Sequence, residues 1–155
     1  MEDINWLNVV SRFLHVTAAM IAVGGAIFTI FAVMPAVHVI PDEARGHFQQ
    51  QLLRRFGKLL MLSIGLLLLT GFYNYLVNER PAHSGQAVYH ALMGVKILLA
   101  FGVFFLASVL TGSSPAFEGM RRKRKRWLML NVIMALAIVA IGAVLRAIPP
   151  VPPSA

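Results

Sequence analysis

Apolar residues dominate four stretches of the chain, and polar residues collect between them. The stretches run over about residues 9–35, 59–77, 89–111 and 127–147. Each can cross a hydrocarbon core of about 30 Å, which takes roughly 20 helical residues. Because a spanning segment must satisfy its backbone hydrogen bonds internally, the pattern predicts four transmembrane helices. The predicted fold is an all-α integral membrane protein, a four-transmembrane-helix bundle that forms one domain over residues 1–155.

Two further segments have patterns of their own. Residues 42–58 begin with acidic residues after Pro41 and then place apolar side chains at helical spacing. This predicts an amphipathic helix at the membrane interface that continues into the second span. Residues 149–155 are rich in proline, which predicts a disordered tail. The N-terminus lacks a basic region and the first span is too long for a signal peptide, so that span is expected to be retained.

Composition removes several classes of function. The chain is 58% hydrophobic and 13% charged, and the four spans leave no room for a soluble catalytic domain. It contains no cysteine, which excludes disulfides, thiolate metal sites and iron–sulfur clusters. A net charge of +8 would suggest nucleic acid in a soluble protein. Here the basic residues flank membrane spans, so we expect contact with anionic lipid and no nucleic acid partner.

The distribution of basic residues predicts the orientation in the membrane. The first and third loops hold ten of them: Arg45, Arg54, Arg55, Lys58, Arg121, Arg122, Lys123, Arg124, Lys125 and Arg126. The opposite side holds Arg12, Arg80 and Arg146. The positive-inside rule therefore places loops one and three in the cytoplasm and both termini on the outer side, with a bacterial inner membrane as the expected location.

His15 and Lys96 are the candidate functional residues, because an ionisable side chain within a membrane span is costly. Each lies seven or eight positions inside the predicted first or third span, roughly 10–12 Å deep. Both spans enter from the same side, so we expect the two residues at equal depth. Arg12 lies one turn from His15 on the same helix face. This arrangement suits an imidazole on haem iron and a guanidinium on a haem carboxylate.

Two other residues join the candidate site. His90 is a rival ligand, although it lies near the start of the third span and on a different face from Lys96. Arg146, near the outer end of the fourth span, is expected to reach the same layer as Arg12 and to contact haem carboxylates. A haem there would place its iron between the first and third helices.

The remaining polar residues are assigned to surfaces. His38, His47 and His83 lie in or beside loops and are interpreted as solvated. Residues 78–85 are interpreted as an exposed turn, and all six acids fall in loops or at the N-terminus, so no carboxylate is expected within the membrane. The methionines share no common depth and are interpreted as packing residues. Met34 and His38, four positions apart, are the one Met/His pair considered for copper.

Several short motifs resemble a known superfamily. The first span contains Arg12-Phe13-Leu14-His15-Val16 and Gly24-Gly25, and the third contains Val95-Lys96-Ile97-Leu98-Leu99. Together with Leu53-Arg54-Arg55-Phe56, these motifs resemble CopD-like copper-resistance membrane proteins and HemJ-type protoporphyrinogen oxidases. HemJ-type proteins carry Asn-Glu-x-Pro at the start of the last helix, where this chain has Asn131-Val132-Ile133-Met134.

The resemblance implies a cofactor and a reaction class. It implies b-type haem and a membrane oxidoreductase that exchanges electrons with a quinone or oxidises a porphyrinogen. One alternative is CopD-like copper transport through His and Met side chains. Another is an accessory subunit of a larger membrane complex, in which Lys96 pairs with an acid of a partner. A homodimer is left open.

The predicted orientation can be tested with a reporter fused after Ala155. Because ten basic residues oppose three, we expect the fusion to report from the outer side of the membrane. Moving the Arg121–Arg126 charges into the second loop should weaken or invert that orientation. A cytoplasmic signal from the unaltered protein would contradict the prediction.

Overall fold

Four long helices build the protein. The computed structural model describes residues 4–151, and no strand occurs within that range. The helices are α1 (Trp6–Val37), α2 (Asp42–Ala82), α3 (Ala87–Thr111) and α4 (Arg124–Ala147). All four are long and apolar enough to cross a membrane, so the predicted four-helix membrane fold is confirmed. Residues 152–155, part of the tail predicted to be disordered, lie outside the described residues.

Local hydrogen bonds explain where the first two helices begin and meet. The Asn5 side chain accepts a bond from the Asn8 amide at 3.2 Å and caps the start of α1. Between α1 and α2, the guanidinium of Arg45 donates to the carbonyls of Val37 and Ile40 at 3.2 and 3.0 Å. These bonds tie the first turn of α2 to the end of α1 and to the residues that follow it, and they hold the connection tight.

α2 is much longer than a single span requires. It contains 41 residues, about 60 Å of helix, and includes the segment 42–58 without a break. The segment is therefore the first part of α2, and its position along the membrane surface stays a prediction. At the other end α2 continues to Ala82, so most of the turn predicted at residues 78–85 is helical.

Two wide, π-helical stretches lie directly before prolines within helices. Residues Thr29–Val33 precede Pro35 in α1, and Asn74–Glu79 precede Pro81 in α2. A proline inside a helix lacks an N–H and its ring crowds the carbonyl four residues earlier. Widening the preceding turn removes that conflict and lets each helix continue. This explains why α1 continues to Val37, two residues beyond Pro35, the last residue of the predicted first span.

The helices associate as two close pairs. α1 packs along α2, and α3 packs along α4, while the two pairs meet over fewer residues. We call the half of the bundle that contains the start of α1 the outer half, after the predicted orientation, which stays a prediction. In this half the first pair is joined by hydrogen bonds from Tyr73 and Asn78 to Asn8 at 3.0 and 3.2 Å. Buried apolar residues form three small clusters around the space between the pairs, centred on Ile30, Leu60 and Tyr89. The bundle therefore encloses a cavity where a soluble bundle would have a continuous core.

Gly24 and Gly25 offer a matched test of the α1–α2 contact. A Cβ on Gly25 would overlap the ring of Phe56, whereas a Cβ on Gly24 would meet nothing within 4 Å. We expect Gly25→Ala to destabilise the protein by about 1–3 kcal/mol through overpacking. Gly24→Ala should leave stability unchanged or raise it, because alanine favours the helix. Thermal unfolding in detergent measures both; equal midpoints would contradict the close approach.

Candidate functional site

The space between the two helix pairs is a cavity of about 770 Å³. All four helices contribute to its wall. Its outer half carries the polar side chains, and its inner half is lined mainly by alanine, valine, leucine and phenylalanine. A largely apolar chamber with a few convergent polar groups is the usual form of a small-molecule site. The polar residues in its outer half are Arg12, His15, Asn74, Asn78, Glu79, His83, Lys96 and Arg146.

His15 lines the cavity and is held by α2. Its Nδ1 lies 2.9 Å from Oγ1 of Thr70. The Thr70 hydroxyl donates its one proton to the Leu66 carbonyl at 2.5 Å, so it accepts from His15. Nδ1 therefore carries the imidazole proton and Nε2 carries the lone pair. Among residues 4–151, no group hydrogen-bonds Nε2, which makes it available to a ligand.

Gly71 allows the imidazole to lie directly against α2. A Cβ at this position would be only 3.2 Å from Cε1 of His15, closer than nine in ten natural Cβ contacts. A glycine at position 71 and a hydroxyl at position 70 thus fix the ring on one side. Their combined effect is to orient His15 before any ligand arrives.

Lys96 lines the same cavity from α3. It lies nine residues after Ala87, and His15 lies nine residues after Trp6, so each is about 13 Å from the start of its helix. The Lys96 ammonium lies 3.6 Å from where a Cβ of Gly142 would be, which places it against α4. No described residue hydrogen-bonds or pairs with it. The structure thus brings His15 and Lys96 into one chamber.

Glu79 organises the outer mouth of the cavity. Its carboxylate accepts a hydrogen bond from Tyr89 at 2.9 Å and pairs with Arg12 at 3.4 Å. The expectation that every acid lies in a loop or at the N-terminus was wrong, because α2 runs on past the predicted span and carries Glu79 into the cavity wall. Arg12 already has a carboxylate partner within the protein.

The interpretation of His83 as a solvated surface residue was also wrong. Its side chain is buried, and its ring stacks on Tyr89 with centroids 3.7 Å apart and planes 5° apart. Nδ1 lies 2.9 Å from the Glu79 carbonyl, and Nε2 lies 3.4 Å from the carbonyl of Ile148. Beyond α4 the chain folds back, and the Val151 amide donates to the Ala82 carbonyl at 2.9 Å. This return of the chain covers His83.

The other residues predicted from the sequence lie partly in the cavity wall and partly outside it. Arg146 lines the cavity and is otherwise exposed. His90 is not part of the cavity wall; its Nδ1 lies 3.3 Å from the Tyr75 hydroxyl. His38 and His47 are exposed, as predicted. The roles of His15, Lys96, Arg12, His90 and Arg146 as ligands stay predictions.

Sequence reasoning missed Thr70, Glu79, Tyr89 and Asn131. Asn131 lies in the inner half of the cavity wall, buried, and its Oδ1 has no hydrogen-bond partner. Thr70 and Asn131 could have been recognised as polar residues within apolar spans, because hydrocarbon gives such residues no hydrogen-bond partner.

Met93, interpreted as a packing residue, is buried and also lines the cavity. Among residues 4–151, no three His, Cys, Asp or Glu residues group together as a metal site.

The fold and the cavity define an integral membrane protein, a four-helix bundle with a polar layer inside its outer half. Residues 1–80 match the family model described as copper resistance protein D-like, N-terminal domain. An uncharacterized protein of Aquifex aeolicus (strain VF5) is 31% identical over 139 residues, which cover 86% of this chain and 92% of that protein. No solved structure matches the chain.

The chain belongs to the copper resistance protein D-like family. This confirms the resemblance to CopD-like proteins. The resemblance to HemJ-type oxidases is not confirmed, and the match gives no support to a haem oxidoreductase.

The orientation of His15 can be tested by replacing its partner. Thr70→Val removes the acceptor for Nδ1–H, so we expect the imidazole to lose its fixed tautomer and the protein to lose about 1 kcal/mol of stability. Thr70→Ser keeps the hydroxyl and should behave as the wild type. Solid-state NMR of ¹⁵N-histidine reports the tautomer. An unchanged Nδ1–H signal in Thr70→Val would refute the assignment.

Proposed function

We propose that this chain handles copper within the membrane, with the ion as cargo and His15 as its principal ligand. The family description supports copper as the cargo. The matching residues 1–80 include His15, Thr70 and Gly71, which together orient the imidazole, and end before Lys96. The family match therefore covers the residues that hold and orient His15.

The availability of Nε2 of His15 is the observation that carries this proposal. A neutral imidazole with a free lone pair is a good ligand for copper. Met93, which lines the cavity from α3, supplies a thioether sulfur, the soft donor that Cu(I) prefers. An imidazole and a thioether facing one chamber suit Cu(I) better than the hard cations Mg²⁺ and Ca²⁺.

The small number of metal-donor side chains favours transport of copper across the membrane over storage of copper in the protein. No group of three or more His, Cys, Asp or Glu residues occurs among residues 4–151, so copper would be held by few ligands. A conducting site must bind its ion well enough to admit it and weakly enough to release it. A site with one imidazole and one thioether meets both demands better than a closed, fully ligated one.

Haem b is the second candidate, favoured by the size and composition of the cavity. A chamber of about 770 Å³ lies within the usual range for cofactor sites. The donor types fit: His15 and Lys96 would hold the iron, and Arg146 and Arg12 would contact the propionates, although Arg12 is already paired with Glu79. When bound, haem would supply one-electron transfer with a membrane quinone or a porphyrinogen.

Metal loading of the purified full-length chain tests both candidates. We expect about one Cu(I) per chain, measured by competition with a chromogenic chelator. His15→Ala should weaken copper binding at least tenfold, and Met93→Leu should weaken it less. His47→Ala is the matched control, because His47 is exposed and outside the cavity wall.

The outcomes separate the candidates. Unchanged copper affinity in His15→Ala would refute the copper site. A Soret band in protein from haem-supplied cells, lost in His15→Ala and retained in His47→Ala, would establish the haem alternative. Neither a Soret band nor copper binding would favour the accessory-subunit hypothesis.

A further inference from the structure

We propose that the cavity binds a long-chain carboxylate taken from the bilayer, with its head on Lys96 and its tail in the apolar inner half. This inference does not depend on the copper proposal. It rests on the unpaired ammonium, the charge of the cavity, the length of the apolar chamber and the exposed wall residues at the seams between the helix pairs.

No described residue lies within ion-pairing distance of the Lys96 ammonium, and the Glu79 carboxylate acts on it only from farther away. Lys96 lies about 13 Å inside α3, among residues that face the hydrocarbon core. Within residues 4–151 it makes no hydrogen bond or ion pair, and its ammonium lies 3.6 Å from where a Cβ of Gly142 would be. A charged group inside the membrane is costly unless it is paired. The glycine leaves room beside the ammonium for a ligand.

The charge of the cavity favours an anion. Among residues 4–151, three cations line it, Arg12, Lys96 and Arg146, and one carboxylate, that of Glu79. Glu79 is already engaged by Tyr89 and Arg12. A ligand with one negative charge would reduce the excess of positive charge in the cavity. It would pair with Lys96, the cation that lies deepest.

The apolar part of the chamber has a measurable length. Gly142 marks the level of Lys96 on α4, and Asn131 lies eleven residues closer to the inner end, which is about 16 Å of helix. Between these levels the wall carries small side chains, such as Ala22, Ala100 and Ala135. The buried amide of Asn131 ends the apolar stretch. An extended 14-carbon chain, as in myristate, fits this span, and a longer chain would have to pass the polar amide.

Residues of the cavity wall reach the outer surface of the bundle at both seams between the helix pairs. Val16 and Val139 line it at the α1–α4 seam, yet about half of each residue is exposed, 51% and 58%. At the α2–α3 seam, Phe72 and Phe101 likewise line the cavity and face outward. A molecule dissolved in the membrane would therefore enter at these seams, without crossing water.

Equilibrium binding of radiolabelled myristate to delipidated, copper-free, full-length protein tests the proposal. We expect saturable binding of one myristate per chain. Lys96→Met should lower the affinity at least tenfold, and the control Lys58→Met, at an exposed position in the first half of α2, should not. Octanoate should bind more weakly than myristate, and stearate no more tightly. His15→Ala should retain myristate, so failure of the copper site would be seen separately.

Competition on the wild-type protein keeps the test independent of folding in the variants. Tetradecanol has the same tail without the charge, and we expect it to compete at least tenfold less well. Equal competition by tetradecanol would refute recognition of the carboxylate by Lys96. Equal competition by phosphatidylglycerol would assign the site to phospholipid headgroups and would overturn the proposal, as would unchanged binding in Lys96→Met.

Discussion

Polar side chains inside this bundle must find partners within the protein, because the hydrocarbon around it offers none. Glu79 meets that constraint by accepting bonds from Tyr89 and Arg12, which join three helices at the outer mouth. Thr70 meets it by donating to its own helix and accepting from His15. The same hydrogen bonds that satisfy these groups also fix their directions. Orientation of the candidate site is thus a consequence of solvation in a membrane.

The two-pair arrangement determines where such a site can exist. Close packing of α1 on α2 needs glycine at position 25, where Phe56 leaves no room for a side chain. Gly71 likewise lets the His15 imidazole of α1 lie directly against α2. Gly142 acts differently, since it leaves space beside the Lys96 ammonium. Glycine therefore serves close packing within the α1–α2 pair and leaves room for a ligand at Lys96. The proline-associated π turn at Asn74–Glu79 adds to this by carrying Glu79 into the cavity wall.

The four spans were predictable because apolar length is a strong signal of a membrane helix. The shared cavity of His15 and Lys96 was also within reach, since equal distances from helix starts imply similar depth. The hydrogen-bond network of Glu79 and His83 could not be predicted, because a polar segment that contains a proline has the sequence pattern of a turn. Its helical form depends on the widened turn before Pro81 and on contacts from the returning chain after α4. Those contacts are distant in sequence and leave no local pattern.

Charge links the two proposed ligands of the cavity. A copper ion at His15 would lie in a chamber with three cations and one carboxylate, an electrostatic environment that opposes a cation. A carboxylate on Lys96 would remove one positive charge from that environment. Binding of either ligand would then favour binding of the other, because such coupling is reciprocal. Lys96 would then not compete with His15 for the metal; it would bind the anion that offsets the positive charge of the cavity and so lowers the cost of binding a metal there.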